Sequence, residues 1–191
     1  MNNKLLANVR FYFAQSVFIS LCHFKAMDRL KKKESIISIA FSSISAITII
    51  SLILLIIGFE NEFQTVIKIA AYLGLLATTA SLIIERFIKK DRMERIFQHR
   101  MYAEKYKSLR DEYMSFIEGI MSDSIPEKQI RIKRDGLQIR YSNLGENAPN
   151  IETTDYKQAQ KGLGISKNEK EEFTWSALEI DKFLPNQLRI L

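Results

Sequence analysis

The sequence predicts an all-α fold: a two-helix transmembrane hairpin, an amphipathic helix before it and a helical, charged tail after it. Three observations carry this. Residues 35–59 (SIISIAFSSISAITIISLILLIIGF) hold no charge. A second apolar run follows after a very short connector, and Lys and Arg crowd both outer flanks. The mean hydropathy of −0.09 conceals this division, because apolar residues concentrate between Ser35 and Ile84 while the chain beyond Asp91 is rich in Lys, Arg, Glu and Asp.

As a helix, residues 35–59 would run about 37 Å, against a hydrocarbon core of about 30 Å. Ile and Leu surround that helix too evenly for a one-faced soluble element. The second span, about 63–84 (FQTVIKIAAYLGLLATTASLII), carries Lys68 near its outer end, where a long side chain snorkels toward headgroups and the connector acids Glu60 and Glu62. The short connector forces an antiparallel hairpin. Lys25, Arg29, Lys31, Lys32 and Lys33 precede the first span, and Arg86, Lys89, Lys90, Arg92 and Arg95 follow the second. Positive flanks stay inside, so both termini are expected in the cytoplasm and the chain in the inner membrane. The expected regions are 1–34, 35–88 and 89–191.

Small and polar residues fall in seams. Ser35, Ser38, Ser42 and Ser45 step by three and four, as do Ala70, Gly74, Thr78 and Ser81. Such seams let helices approach closely in lipid, and they also line water paths when several chains assemble. Ser38, Ser42, Ser45 and Thr48 are therefore candidates for a pore face, and Ala70, Gly74, Thr78 and Ser81 for helix packing. One pair contact cannot bury both seams if one lines a pore.

Residues 5–30 are amphipathic and very apolar, with Phe11, Phe13, Val17, Phe18, Leu21 and Phe24 interrupted by Arg10, Gln15 and His23. Arg10 leaves too short a clean stretch for a third span, so a helix lying at the inner leaflet is expected. In the tail, Tyr102, Tyr106, Leu109, Tyr113, Phe116 and Ile120 step by four and three as a heptad seam. That seam either packs on the rest of the tail or pairs chains. Pro126 opens a further helix with Ile130, Arg134, Leu137, Tyr141 and Leu144 on one face, closed by Gly145 and Pro149. Thr153 or Thr154 would cap a short helix, and Ser166 with Glu169 a last one that stops before Pro185.

Charge excludes some functions. Of the net +6, residues 1–34 carry +5, residues 35–84 carry −1, and residues 85–91 and 92–191 carry +1 each. The excess flanks the apolar block, which suits anionic headgroups rather than nucleic acid. A single cysteine, Cys22, excludes an intramolecular disulfide, and His23 and His99 are too isolated in sequence for a metal-ligand cluster. No cofactor is expected. Carboxylates such as Asp111-Glu112 and Glu171-Glu172 sit among lysines and arginines as a solvated face does. His99 has no serine or cysteine nucleophile at a suitable spacing, so no enzyme is expected. Cys22-His23-Phe24-Lys25 offers no small-residue cleavage site, and no signal-peptide processing is expected.

The order of features then resembles a known family: an N-terminal helix with Arg10, a span after Lys33 and Glu34, a short connector, a second span, and a charged helix with His99, Ala103, Tyr106, Leu109 and Tyr113. Arg140-Tyr141, Ala148-Pro149, Thr154-Asp155-Tyr156, Ala159 and the ending Glu179-Ile180-Asp181-Lys182-Phe183-Leu184-Pro185 sharpen it. The chain resembles the SLATT family of two-transmembrane effector domains, and its tail looks most like the reverse-transcriptase-linked subgroup. The resemblance implies an oligomeric effector of anti-phage defence that forms a pore or perturbs the membrane when a sensor partner signals infection. That partner would be a reverse transcriptase or an enzyme making a nucleotide signal. The alternative is a non-conducting anchor that recruits a cytoplasmic enzyme through the heptad seam.

Overall fold

A computed structural model describes residues 3–57, 64–164 and 175–190. Among them the regular elements are helical: α1 (Asn3–Ile56), α2 (Gln64–Met121), α3 (Glu127–Asn147), α4 (Thr153–Gly162), α5 (Ala177–Asp181) and a 3-10 turn at Asn186–Leu188. The connector acids Glu60 and Glu62, Phe63, and the expected cap at Ser166 and Glu169 lie outside the described residues. The last described α-helix starts instead at Ser176, whose hydroxyl accepts from Glu179 N (3.4 Å) while Ser176 N donates to Glu179 Oε2 (3.0 Å). This reciprocal box satisfies two of the donors a helix start leaves open. At α4 the N-cap is Glu152 rather than Thr153 or Thr154, and its N–H donates to the Asp155 carboxylate at 3.2 Å.

The residues group into two compact units, Met1–Asp28 with Phe97–Leu191, called the head here, and Arg29–Ile96, the hairpin unit. This corrects the expected partition into 1–34, 35–88 and 89–191. The N-terminal segment belongs to one body with the tail.

The reason lies in where α1 is apolar. Leu5, Leu6, Val9, Phe13 and Ala14 join Leu109, Tyr113, Phe116, Ile117 and Ile120 of α2, Leu137 of α3, and Ile180 and Leu184 in one core. A second cluster brings Phe18 and Cys22 of α1 against Ala159 of α4. A membrane surface covers one side of a helix, whereas this segment is covered on several by its own chain. The expectation of a helix lying at the inner leaflet is therefore corrected.

The heptad seam supplies the facing wall. Tyr102, Tyr106, Leu109, Tyr113, Phe116 and Ile120 are all buried, and burying each large apolar side chain contributes on the order of 1.5–3 kcal/mol. The seam is filled by the chain's own helices, so it is not an exposed surface for pairing with another copy. In α3, Leu137 is buried and Ile130, Tyr141 and Leu144 pack against the same core. Gly145 lies inside that helix, which ends at Asn147.

One ion pair is sealed into the head. The Arg10 guanidinium donates to the Asp181 carboxylate, with 3% and 7% of the two side chains exposed. The Asp181 carboxylate also accepts from Ile190 N at 3.4 Å. Arg10, expected to interrupt a membrane segment, instead ties the first helix to the last. Removing one member of such a pair strands the other charge in a low-dielectric core and costs about 3–5 kcal/mol, whereas an apolar pair of similar volume is often neutral. Arg10→Met alone is expected to lower head stability by that order, and Arg10→Met with Asp181→Leu to recover most of it. The single tryptophan, Trp175, packs 5.8 Å from the Phe11 and Phe18 rings, so its fluorescence during denaturant titration of the detergent-solubilised chain reads the difference.

Candidate functional site

The hairpin unit pairs α1 with α2 antiparallel. Glu34, before the first span, faces Arg92, after the second, with Oε2 and Nε 2.8 Å apart. The contact is a charge pair without hydrogen-bond alignment, since neither atom has a hydrogen-bond partner. Deeper in, Thr48 Oγ1 lies 3.1 Å from Thr78 Oγ1 and donates to Ile44 O at 2.9 Å. The Thr78 hydroxyl therefore donates in the pair between helices. Ser81 closes its own donor on Thr78 O at 2.8 Å.

Gly74 permits this approach. A Cβ there would stand 2.6 Å from Thr48 Oγ1, closer than two such atoms come without displacement. Small residues are what bring helices together where lipid tails offer no hydrophobic gain for association. The contact line on α2 runs Ala71, Gly74, Thr78, Ser81. Its steps of three, four and three keep one face of the helix toward the partner. Ala71 occupies the end of the line expected for Ala70, which is exposed.

The four pore-face candidates separate. Thr48 is buried in the contact with Gly74 and Thr78, Ser38 and Ser45 are half-buried, and Ser42 is exposed. The serine ladder steps off the helix contact at Ser42. For Thr48 the reading as a pore face is corrected: the same hydroxyl cannot line an open path and close the contact within one chain.

Away from this line the helices are apolar and uncovered. Only 6% of the most apolar stretch of α1 and 11% of that of Gln64–Ile84 is buried, and Ile39, Ile47, Ile50, Leu73, Leu76 and Leu82 each expose 57–68%. A soluble core helix would be covered, and water does not tolerate apolar surface of this extent. Lipid is the solvent that suits it.

In the head, two helices bring titratable groups together that are far apart in sequence. His23 Nδ1 of α1 lies 3.0 Å from His99 Nδ1 of α2. One Nδ1 must donate and the other accept, so the rings hold opposite tautomers at that edge. The Tyr106 ring stacks on His23 at 5.8 Å between centroids, and Tyr102 lies at 6.0 Å. Burial, then His99, lowers His23 to about 4, against a partial upward pull from Asp155. Burial, then Asp155, pushes the Cys22 thiol up to about 12, so it is no thiolate nucleophile. Among the described residues no group of three His, Cys, Asp or Glu is placed to hold a metal ion. The sequence presented His23 as an interruption of an apolar run and His99 as too isolated for a ligand cluster or a catalytic pair. Only the register of α1 on α2 makes them a pair.

A family of two-transmembrane effectors accounts for both units. The model of the SMODS and SLOG-associating 2TM effector domain family 4 matches residues 5–179. The chain belongs to this family. Comparison with curated proteins gives no match, and comparison with solved structures gives none. The match to this SLATT family takes in Arg10, the hairpin unit, His23 and His99, and ends two residues before Asp181. Two uncovered apolar helices in a two-transmembrane family make this a membrane protein.

Two outcomes are expected. Between pH about 6.5 and about 4 the unfolded chain binds a proton at His23 that the folded head does not. Stability therefore falls as pH drops through that window and levels off below it. At about 1.4 kcal/mol per unit, the loss attributable to His23 is roughly 3 kcal/mol, and His23→Gln should flatten the slope of Trp175-detected stability against pH. Second, Gly74→Leu should push the paired helices apart, read as a longer distance between spin labels at the exposed positions Ile47 and Leu76 in a Cys22→Ser background.

Proposed function

We propose that this SLATT-family protein is a non-catalytic effector of a bacterial anti-phage system, whose hairpins associate between chains and breach the inner membrane when a partner signals infection. The observation that carries this reading is the hairpin unit itself: two apolar helices held together by small residues and uncovered elsewhere, in a family described as two-transmembrane effectors. The basic flanks from Lys25 to Lys33 and from Arg86 to Arg95 support a reading with both termini in the cytoplasm. The head then faces the compartment where a sensor acts. Ser42, exposed where Ser38 and Ser45 are half-buried and Thr48 is buried, is the most accessible of the four candidates for meeting a second hairpin. The partner is taken to be encoded nearby, as a reverse transcriptase or an enzyme producing a nucleotide signal.

The anchor reading, in which the heptad seam recruits an enzyme, loses its surface because Tyr106 and Tyr113 are 2% and 0% exposed. The test is expression with the flanking genes during phage challenge, followed with a membrane-potential dye. Depolarisation that precedes lysis and requires the spans is expected. An intact potential in every condition would sink the effector reading, whereas partner recruitment without ion flux would restore the anchor.

A further inference from the structure

Beside the histidine pair the head has a cleft of about 250 Å³. Its wall comes from distant parts of the sequence: Ile19 and His23 of α1, Tyr106 of α2, Tyr141 and Gly145 of α3, the Ala148–Ile151 connection, and Tyr156 of α4. Several motifs that the membrane reading leaves without a role, Arg140-Tyr141, Ala148-Pro149 and Asp155-Tyr156, contribute to this one place. A cavity of about 150 Å³ admits a benzene ring, and pockets for drug-sized ligands start near 300 Å³. The cleft is thus the size of one or two fused rings.

Its chemistry is aromatic and uncharged. None of the lining residues is Lys, Arg, Asp or Glu. Burial foremost raises Tyr106 to about 12 and Tyr141 and Tyr156 upward as well, so their phenols stay protonated donors. Tyr106 and Tyr141 meet edge to face, with centroids 5.7 Å apart. His23 is fully buried, engages His99 through Nδ1, and leaves Nε2 without a hydrogen-bond partner. A buried polar atom of that kind costs free energy until something satisfies it.

The role of that atom is set from behind. When His23 Nδ1 donates to His99, His23 Nε2 is an acceptor; when His23 Nδ1 accepts, Nε2 carries the proton and donates. Exchange of the two neutral tautomers, in which the shift between the Nδ1 atoms is balanced by a proton gained at His23 Nε2 and one lost at His99 Nε2, reverses what His23 Nε2 offers with no change of net charge.

We propose that this cleft binds a small uncharged heteroaromatic ring, held by the tyrosines and hydrogen-bonded to His23 Nε2. The class includes free nucleobases and bicyclic azoles. Anionic ligands are disfavoured because the wall supplies no cation.

Ligand-observed NMR with the full-length, detergent-solubilised protein tests this, using benzimidazole, which carries a donor and an acceptor, and its 5-carboxylate. Saturable binding of benzimidazole is expected, at least tenfold weaker for the carboxylate. Gly145→Leu is the blocking variant. Gly145 is exposed on α3, and a Cβ there stands 3.6 Å from the Tyr106 hydroxyl, an ordinary contact, so the longer side chain fills the mouth without disturbing the core. It should abolish binding while leaving Trp175-detected unfolding unchanged. His23→Gln, whose amide keeps a donor and an acceptor, should retain weakened binding, and His23→Leu should lose it. No saturable binding by benzimidazole overturns the proposal, as does binding that survives Gly145→Leu or that favours the carboxylate. None of these readouts depends on membrane breach, so the two readings fail separately.

Discussion

The antiparallel contact between α1 and α2 is the constraint on which the rest depends, and it is met differently in each unit. In the head, water drives association, and the contact is made of large groups such as Phe13, Tyr113, Phe116 and Ile117 whose removal from solvent supplies the free energy. In the hairpin unit lipid is as apolar as leucine, so among the described residues association rests on close packing, on the hydrogen bond from Thr78 to Thr48 beside Gly74, and on the Glu34–Arg92 charge pair. The two units thus solve the same antiparallel pairing with different chemistry.

Polar groups enforce the arrangement of the head. Ser20 Oγ of α1 donates across to Ala103 O of α2 at 2.9 Å, and His23 meets His99 at 3.0 Å. Arg10 fixes the distance between the first helix and α5. None of these groups tolerates a slipped register, because each would then be buried without a partner. Apolar surfaces alone accept several packings; the polar contacts select one.

Much of this was legible in the sequence. The spans followed from length and absence of charge, and the face from Tyr102 to Ile120 from its heptad steps. Local periodicity says that a face is apolar and not what covers it. For that reason Leu5 to Leu30 read as a membrane-surface helix, although a lipid interface and a protein wall select the same residues. Arg10 and Asp181 are separated by 171 positions, and neither residue signals the other. The Thr48 contact was missed for a related reason: a step of three or four identifies a seam but leaves its occupant open. Ala71 displaced Ala70 because a one-residue change turns a helix by about 100°.

The serines of the spans have a consequence of another kind. Ser43, Ser51 and Thr79 each donate to the carbonyl four residues back, at 2.8–3.0 Å. Each hydroxyl proton is therefore already engaged by its own helix. What these side chains turn outward is oxygen lone pairs and methylene or methyl groups. To the surrounding bilayer these three positions are less polar than their composition suggests, and they accept hydrogen bonds without offering them. A neighbour that meets Ser43, Ser51 or Thr79 must bring its own donor.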